Sequence, residues 1–215
     1  WGVCVQFARM VKNTLGDISK LSDFNLSPVW TGLGKNLMGL DKIAPVGERA
    51  LRLSAYRQAL ANYELNRRYP FNTVLRISPV FSVDKEQLFA SVTFPQINTA
   101  MSLNNYRGLP YFRLHVTLGC VSDRVFNPLN LFYNYEPVSP ELDGLFAAYT
   151  GSWLSANDLI QEHSVELQLS EEYVALDKKD ATLLLNVGIE FGKVGFGGEI
   201  SPVKYAGSGK ILASI

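Results

Sequence analysis

Histidine and cysteine are the side chains that most often bind metals or carry nucleophilic chemistry, and the 215-residue chain has two of each: His115, His163, Cys4 and Cys120. Neither histidine has another histidine or a cysteine at metal-ligand spacing, so no metal site is expected. His115 and Cys120 stand five residues apart in one apparent strand. Side chains alternate along a strand, so the two point to opposite faces and make no Cys–His pair. Two distant cysteines are too few for a disulfide framework; they read as buried thiols, with a Cys4–Cys120 bridge as the alternative.

Carboxylates give a second candidate. Glu136, Glu141 and Asp143 gather in an irregular region with Tyr133, Tyr135, Tyr149 and Trp153. Two carboxyl groups about 5–10 Å apart hydrolyse glycosides, and aromatics beside acids line sugar grooves. Tyr133, Tyr135, Glu136, Glu141, Asp143 and Trp153 are therefore the candidate ligand loop, with an ordinary polar loop on hydrophobic anchors as the plainer reading. No G-x-S-x-G elbow marks a nucleophilic serine. Gly207-Ser208-Gly209-Lys210 departs from a phosphate loop because Ile211 stands where Ser or Thr is needed. Gly32-Leu33-Gly34-Lys35 lacks the third glycine of a dinucleotide fingerprint. No cofactor is expected. Arg49, Arg52, Arg57, Arg67 and Arg68 form a basic cluster that reads as a solvated face.

These residues need a scaffold. Val3–Met10 reads as a strand, followed by a polar stretch from Lys12 to Asn25. Ser27 before Pro28 has the order of an N-cap and first helical residue, and Val29, Leu33, Leu37 and Leu40 give that helix an apolar stripe. Glu48–Arg68 contains no proline or glycine, and Ala50, Leu53, Tyr56, Leu60 and Tyr63 line one face, predicting a second, docked helix. From residue 73 the period changes to two. Val74–Val83 and Leu88–Phe94 form a hairpin whose first strand is an edge because of Pro79. Tyr111–Val121, a short strand near Leu145–Thr150, Val165–Leu169, Leu183–Phe191, Glu199–Ala206 and Lys210–Ile215 follow. About seven antiparallel strands without intervening helices predict a mainly β chain: an antiparallel β-sandwich with an N-terminal segment of two helices. The organisation expected is an arm with a short helix over residues 1–46, then one domain over 47–215, comprising the docked helix 48–68 and the sandwich 73–215.

Composition limits the function. Twenty basic and 20 acidic residues cancel, which excludes a nucleic-acid binder that works by displacing counterions. No stretch approaches the roughly 18 apolar residues of a membrane span. The charged fraction of 19% is below the roughly 25% of ordinary soluble chains, while aromatics reach 12%. A surface poor in charge and at zero net charge favours association.

Tyr111-Phe112-Arg113-Leu114-His115-Val116, the closing Leu185-Asn186-Val187-Gly188-Ile189-Glu190-Phe191 and the Tyr205 to Gly207 pair are similar to segments of an uncharacterised family from the Bacteroidota. The resemblance spans residues 45–215 and implies a β-rich fold, with no catalytic or binding residue to transfer.

The function expected is a non-enzymatic structural subunit that assembles with copies of itself into a filament, tube or other particle. Trp1, Val3, Phe7, Phe24 and Trp30 are the candidate inter-subunit contacts, and deletion of residues 1–26 is expected to leave a folded sandwich that no longer assembles. A carbohydrate- or ligand-binding module is the alternative. The start at Trp1 fits a processed terminus or a missing beginning, and an extracellular protein or released particle is the compartment expected.

Overall fold

The fold is that of a computed structural model, which describes residues 2–130 and 134–215. Trp1 and Tyr133, both singled out above, lie outside the described residues.

The first element is a helix and not a strand. In α1 (Gly2–Leu15) the buried positions are Val3, Cys4, Phe7, Ala8, Val11, Thr14 and Leu15, a stripe at spacings of one, three and four. An eight-residue window ending at Met10 is too short to show that period; five more residues make it plain. The polar stretch from Lys12 finishes α1 and then tightens into a 3-10 turn, Gly16–Leu21, burying Ile18 and Leu21. Helix α2 (Leu26–Leu40) is capped two residues before the predicted position: Asn25 is the N-cap, and its side chain accepts from the Ser27 amide at 3.1 Å. The face it buries is Leu26, Trp30, Gly34 and Leu37, so Val29 and Leu33 lie at the margin and Leu40 is exposed.

The predicted helix at 48–68 does not form. The segment contains a 3-10 turn (Ser54–Ala59) and the two-residue strand β1 (Tyr63–Glu64), and is otherwise irregular. The stripe that suggested a helix leaves out Leu51 and Leu65, yet both are fully buried beside Leu53 and Leu60. A helix would turn them to water. The observed path instead hydrogen-bonds to the sheet: the Leu51 amide donates to the Arg124 carbonyl and the Leu65 amide to the Gly209 carbonyl, each at 2.9 Å.

The remaining strands follow in chain order: β2 (Val80–Asp84), β3 (Phe89–Phe94), β4 (Ile97–Asn98), β5 (Tyr111–Ser122), β6 (Arg124–Phe126), β7 (Tyr135–Pro137), β8 (Phe146–Thr150), β9 (Leu154–Ser155), β10 (Leu159–Ile160), β11 (His163–Gln168), β12 (Ala181–Val194) and β13 (Ile200–Ser214). These 13 strands among the described residues exceed the seven predicted, mainly because the region 123–160 carries short pairs read as loop. All pairings are antiparallel. A large sheet runs β1-β13-β12-β5-β8, with β9 also on β5; a small sheet runs β11-β3-β2, with β2 at its edge after Pro79.

The large sheet is covered on both sides. Phe112, Leu114, Val116, Leu118 and Cys120 of β5 and Leu183, Leu185, Val187, Ile189 and Phe191 of β12 share one core with Ala90, Val92 and Phe94 of β3 and Val165 and Leu167 of β11. That is a sandwich-like layer. On the opposite face, Val121, Leu184 and Ile211 join a second core made by α1, α2, the first 3-10 turn and Leu51, Leu53, Leu60 and Leu65. The N-terminal segment is therefore a third layer packed on the sheet. Cys4 and Cys120 are free and buried, one in each core, and burial pushes the Cys120 thiol up to about 12.

Candidate functional site

Two of the three acids of the candidate ligand loop, Asp143 and Glu136, are tied to neighbouring side chains and backbone. Asp143 accepts from the Ser122 amide at 3.0 Å and from Arg124 Nη2 at 2.6 Å. Glu136 accepts from Asn127 Nδ2 at 2.7 Å, and Glu141 is exposed. The Tyr135 hydroxyl is engaged by the Gly47 and Arg49 carbonyls at 3.0 Å each. Trp153 lies beneath the Arg113 guanidinium, 4.4 Å from its ring centroid, and packs against Gly192. Apart from exposed Glu141, each described member has its own local partner, and none is shared that would assemble the set as a groove.

The N-terminal contact set is also internal. Val3, Phe7 and Trp30 are 2%, 1% and 0% exposed, which makes them part of the second core and leaves no surface for a neighbour. Phe24 is half-buried under the Arg67 guanidinium, 4.1 Å from its ring centroid. Because residues 48–68 are not helical, the five arginines do not share a helix face, although Arg52, Arg57, Arg67 and Arg68 are exposed and Arg49 is half-buried; the Arg67 and Arg68 amides bond Asp23.

Sequence reading missed the place where titratable side chains do converge. On the helical face of the large sheet, Glu190 pairs in register with Arg113, and His115 with Thr150. Arg113 Nε and Nη2 lie 2.8 and 2.7 Å from Glu190 Oε2. His115 Nε2 lies 3.2 Å from the same oxygen, and Nδ1 lies 3.2 Å from Thr150 Oγ1. Burial alone would raise the Glu190 carboxyl, but hydrogen bonds from His115 and Arg113, with the arginine charge, hold it below its ordinary value. At the margin the Lys20 hydrogen bond, 2.6 Å, lowers Asp17. Alternation had placed Arg113 and His115 on one face; what was missing was the register that sets Glu190 and Thr150 beside them.

The line Thr150–His115–Glu190 has the order hydroxyl, base, orienting carboxylate that activates a nucleophile. Its surroundings do not complete that chemistry. A cavity of about 310 Å³ beside β8 is lined by Leu114, Tyr149, Gly151, Glu162 and His163, on the face of β5 opposite His115. The second histidine stacks on Phe94 with centroids 5.2 Å apart. His115 is 2% exposed and has both ring nitrogens engaged. The arrangement fastens β12, β5 and β8 to one another. Among the described residues no group of three or more His, Cys, Asp or Glu is disposed to hold a metal ion, and no helix is long and apolar enough to cross a membrane.

Comparisons with family models, with curated proteins and with solved structures gave no match.

Proposed function

We propose that the protein is a non-enzymatic structural subunit that assembles with copies of itself. The observation that carries this reading is the outer part of the β12–β13 hairpin. From Lys193 to Tyr205 every residue is exposed or half-exposed, and the apolar ones include Val194 at 50%, Tyr205 at 67% and Phe196 at 113%. Strand β5 stops pairing with β12 at Gly192, so beyond it the two strands pair only with each other, held otherwise by Val203 on the core and by Arg107 Nη1, which donates to the Lys204 carbonyl at 3.0 Å. A two-stranded ribbon is marginal in water, and its edges can take a neighbouring strand. An aromatic residue on its tip gains by insertion into a neighbour. The edge strand β2, with Val80 66% and Phe81 42% exposed, is a second surface of the same kind.

This moves the contact surface from the N-terminal segment to the hairpin, and the non-catalytic part of the reading rests on the internal pairing of Asp143, Glu136 and Glu190. Light scattering on purified protein at neutral pH tests it. Particles well above 23.9 kDa are expected, falling to monomer in Phe196→Ser with Val194→Thr. A wild-type monomer at every concentration sinks the proposal, and unchanged particles in the double variant remove the hairpin from it.

A further inference from the structure

Between the outer side of α1 and strands β6 and β7 lies a cavity of about 320 Å³, lined by Gln6, Arg9, Met10, Arg124, Pro137 and Asp143 among others. The Arg124 side chain is 5% exposed. Its Nη2 is held by Asp143 at 2.6 Å, but Nε and Nη1 are sealed from solvent without a hydrogen-bond partner. A buried guanidinium left part-paired is costly, and such orphaned donors call for an unseen acceptor.

We propose that this cavity binds a small monocarboxylate. Arg9 and Arg124 bring two positive charges and Asp143 one negative, a balance of +1 that a monoanion neutralises. Both Asp143 oxygens already have donors, Ser122 N and Arg124 Nη2, so its charge is screened within the wall. Carboxylate oxygens accept from Arg9, which makes no ion pair among the described residues, and, once the guanidinium turns towards the cavity, from the Arg124 N–H groups now sealed behind it. Charge-assisted bonds of this kind are the strong ones. Met10 and Pro137 supply an apolar wall for a short aliphatic chain. A phosphate dianion would leave an unmatched negative charge beside Asp143.

The test is titration of the full chain with acetate, propionate and butyrate, and with inorganic phosphate, at constant ionic strength, followed by calorimetry or amide NMR shifts. Saturable carboxylate binding is expected, with shifts centred on residues 6–10 and 124. Arg9→Gln, an exposed change that leaves the fold alone, should weaken it at least tenfold, and Met10→Trp should block it. Arg124→Lys keeps the charge but loses the fork and should weaken binding also. Absence of saturation with every carboxylate overturns the proposal, as does binding indifferent to Arg9→Gln. Tighter binding of phosphate overturns the assigned class. The outcome is independent of particle size, so it stands or falls apart from the assembly reading.

Discussion

The two faces of the large sheet solve burial in opposite ways. Towards the small sheet, β5 and β12 present large side chains in rows, from Phe112 to Cys120 and from Leu183 to Phe191. Two sheets pack about 10 Å apart, and such rows fill that gap. Towards the helices the same strands present Thr117, Gly119, Asn186 and Gly188, so the helical layer can settle close. A Cβ at Gly119 would lie 2.5 Å from Thr14 Cβ and 2.9 Å from Thr14 Cα; one at Gly209 would lie 2.6 Å from Ile18 Cγ2. The polar residues there are bonded inward. Asn186 Nδ2 and Thr117 Oγ1 reach the Thr14 carbonyl at 2.9 and 2.8 Å, at the end of α1, where carbonyls run short of intrahelical donors. One face is held by filled volume, the other by close approach and a few directed bonds.

If the helical layer is structural, its loss should be the most damaging change. Deleting residues 1–26 removes Val3, Phe7, Val11, Leu15, Ile18 and Leu21, each contributing about 1.5–3 kcal/mol when fully buried. Their sum rivals the roughly 5–15 kcal/mol total stability of a domain. The truncated chain should lack a cooperative thermal transition. A cooperative melt within a few degrees of wild type would show that the layer is a detachable arm after all.

Point changes then separate the two kinds of packing. Phe112→Ala empties a fully buried position in the sandwich core and should cost about 3–5 kcal/mol in urea unfolding. Gly119→Ala adds one methyl against the Thr14 backbone and should cost about 1–3 kcal/mol, although on a surface such a change would be neutral. Equal tolerance of alanine at both sites would mean the helices ride higher than 2.9 Å allows.

The directed bonds come next. Asn186→Leu keeps volume but removes the donor to Thr14 O and to Thr117 Oγ1, the latter at 3.0 Å. The Thr14 carbonyl keeps its bond from Thr117 Oγ1, so what is lost is a second bond and not a satisfied acceptor, about 0.5–1.5 kcal/mol. Because Asn186 Oδ1 is itself unpartnered, losing it returns part of that, so about 1 kcal/mol is the expected net. Faster amide exchange should be confined to the end of α1. A global change would assign Asn186 to the stability of the sheet.

The same contrast explains what the sequence made legible. Strands β5 and β12 stood out because alternation is unambiguous where every second residue is Leu, Val, Ile or Phe. Their other face misled, since Arg113, His115 and Thr117 look solvent-facing when the covering layer has not been recognised. That layer was missed because α1 shows its period only over its full length. Leu51 and Leu65 are buried by contacts far along the chain, so no local pattern reveals 48–68 as irregular. The Arg113–Glu190 pair is separated by 77 residues and becomes visible only with the register of β5 on β12.

The smallest effect is the most specific. Glu190 titrates below its ordinary value of 4.5 in the folded protein, so it contributes stability that is present above the unfolded value and is lost as pH falls through the folded one. Asp123 has the opposite sign: burial raises it despite hydrogen bonds from the Ser54 amide at 3.0 Å and hydroxyl at 2.6 Å. Its contribution is present below the unfolded value, 3.8, and is lost as pH rises through the folded one. Glu190→Gln should therefore cost about 1 kcal/mol at pH 7, reduced from a buried pair by the open side of Arg113, and flatten the acid limb of stability against pH. Asp123→Asn should steepen that limb, because the compensating carboxylate is gone. Urea midpoints from pH 2.5 to 7 measure both. Parallel curves for the two variants would mean that neither carboxylate feels its neighbours as the geometry requires, and the hydrogen-bonded fastening of β5, β8 and β12 would lose its electrostatic basis.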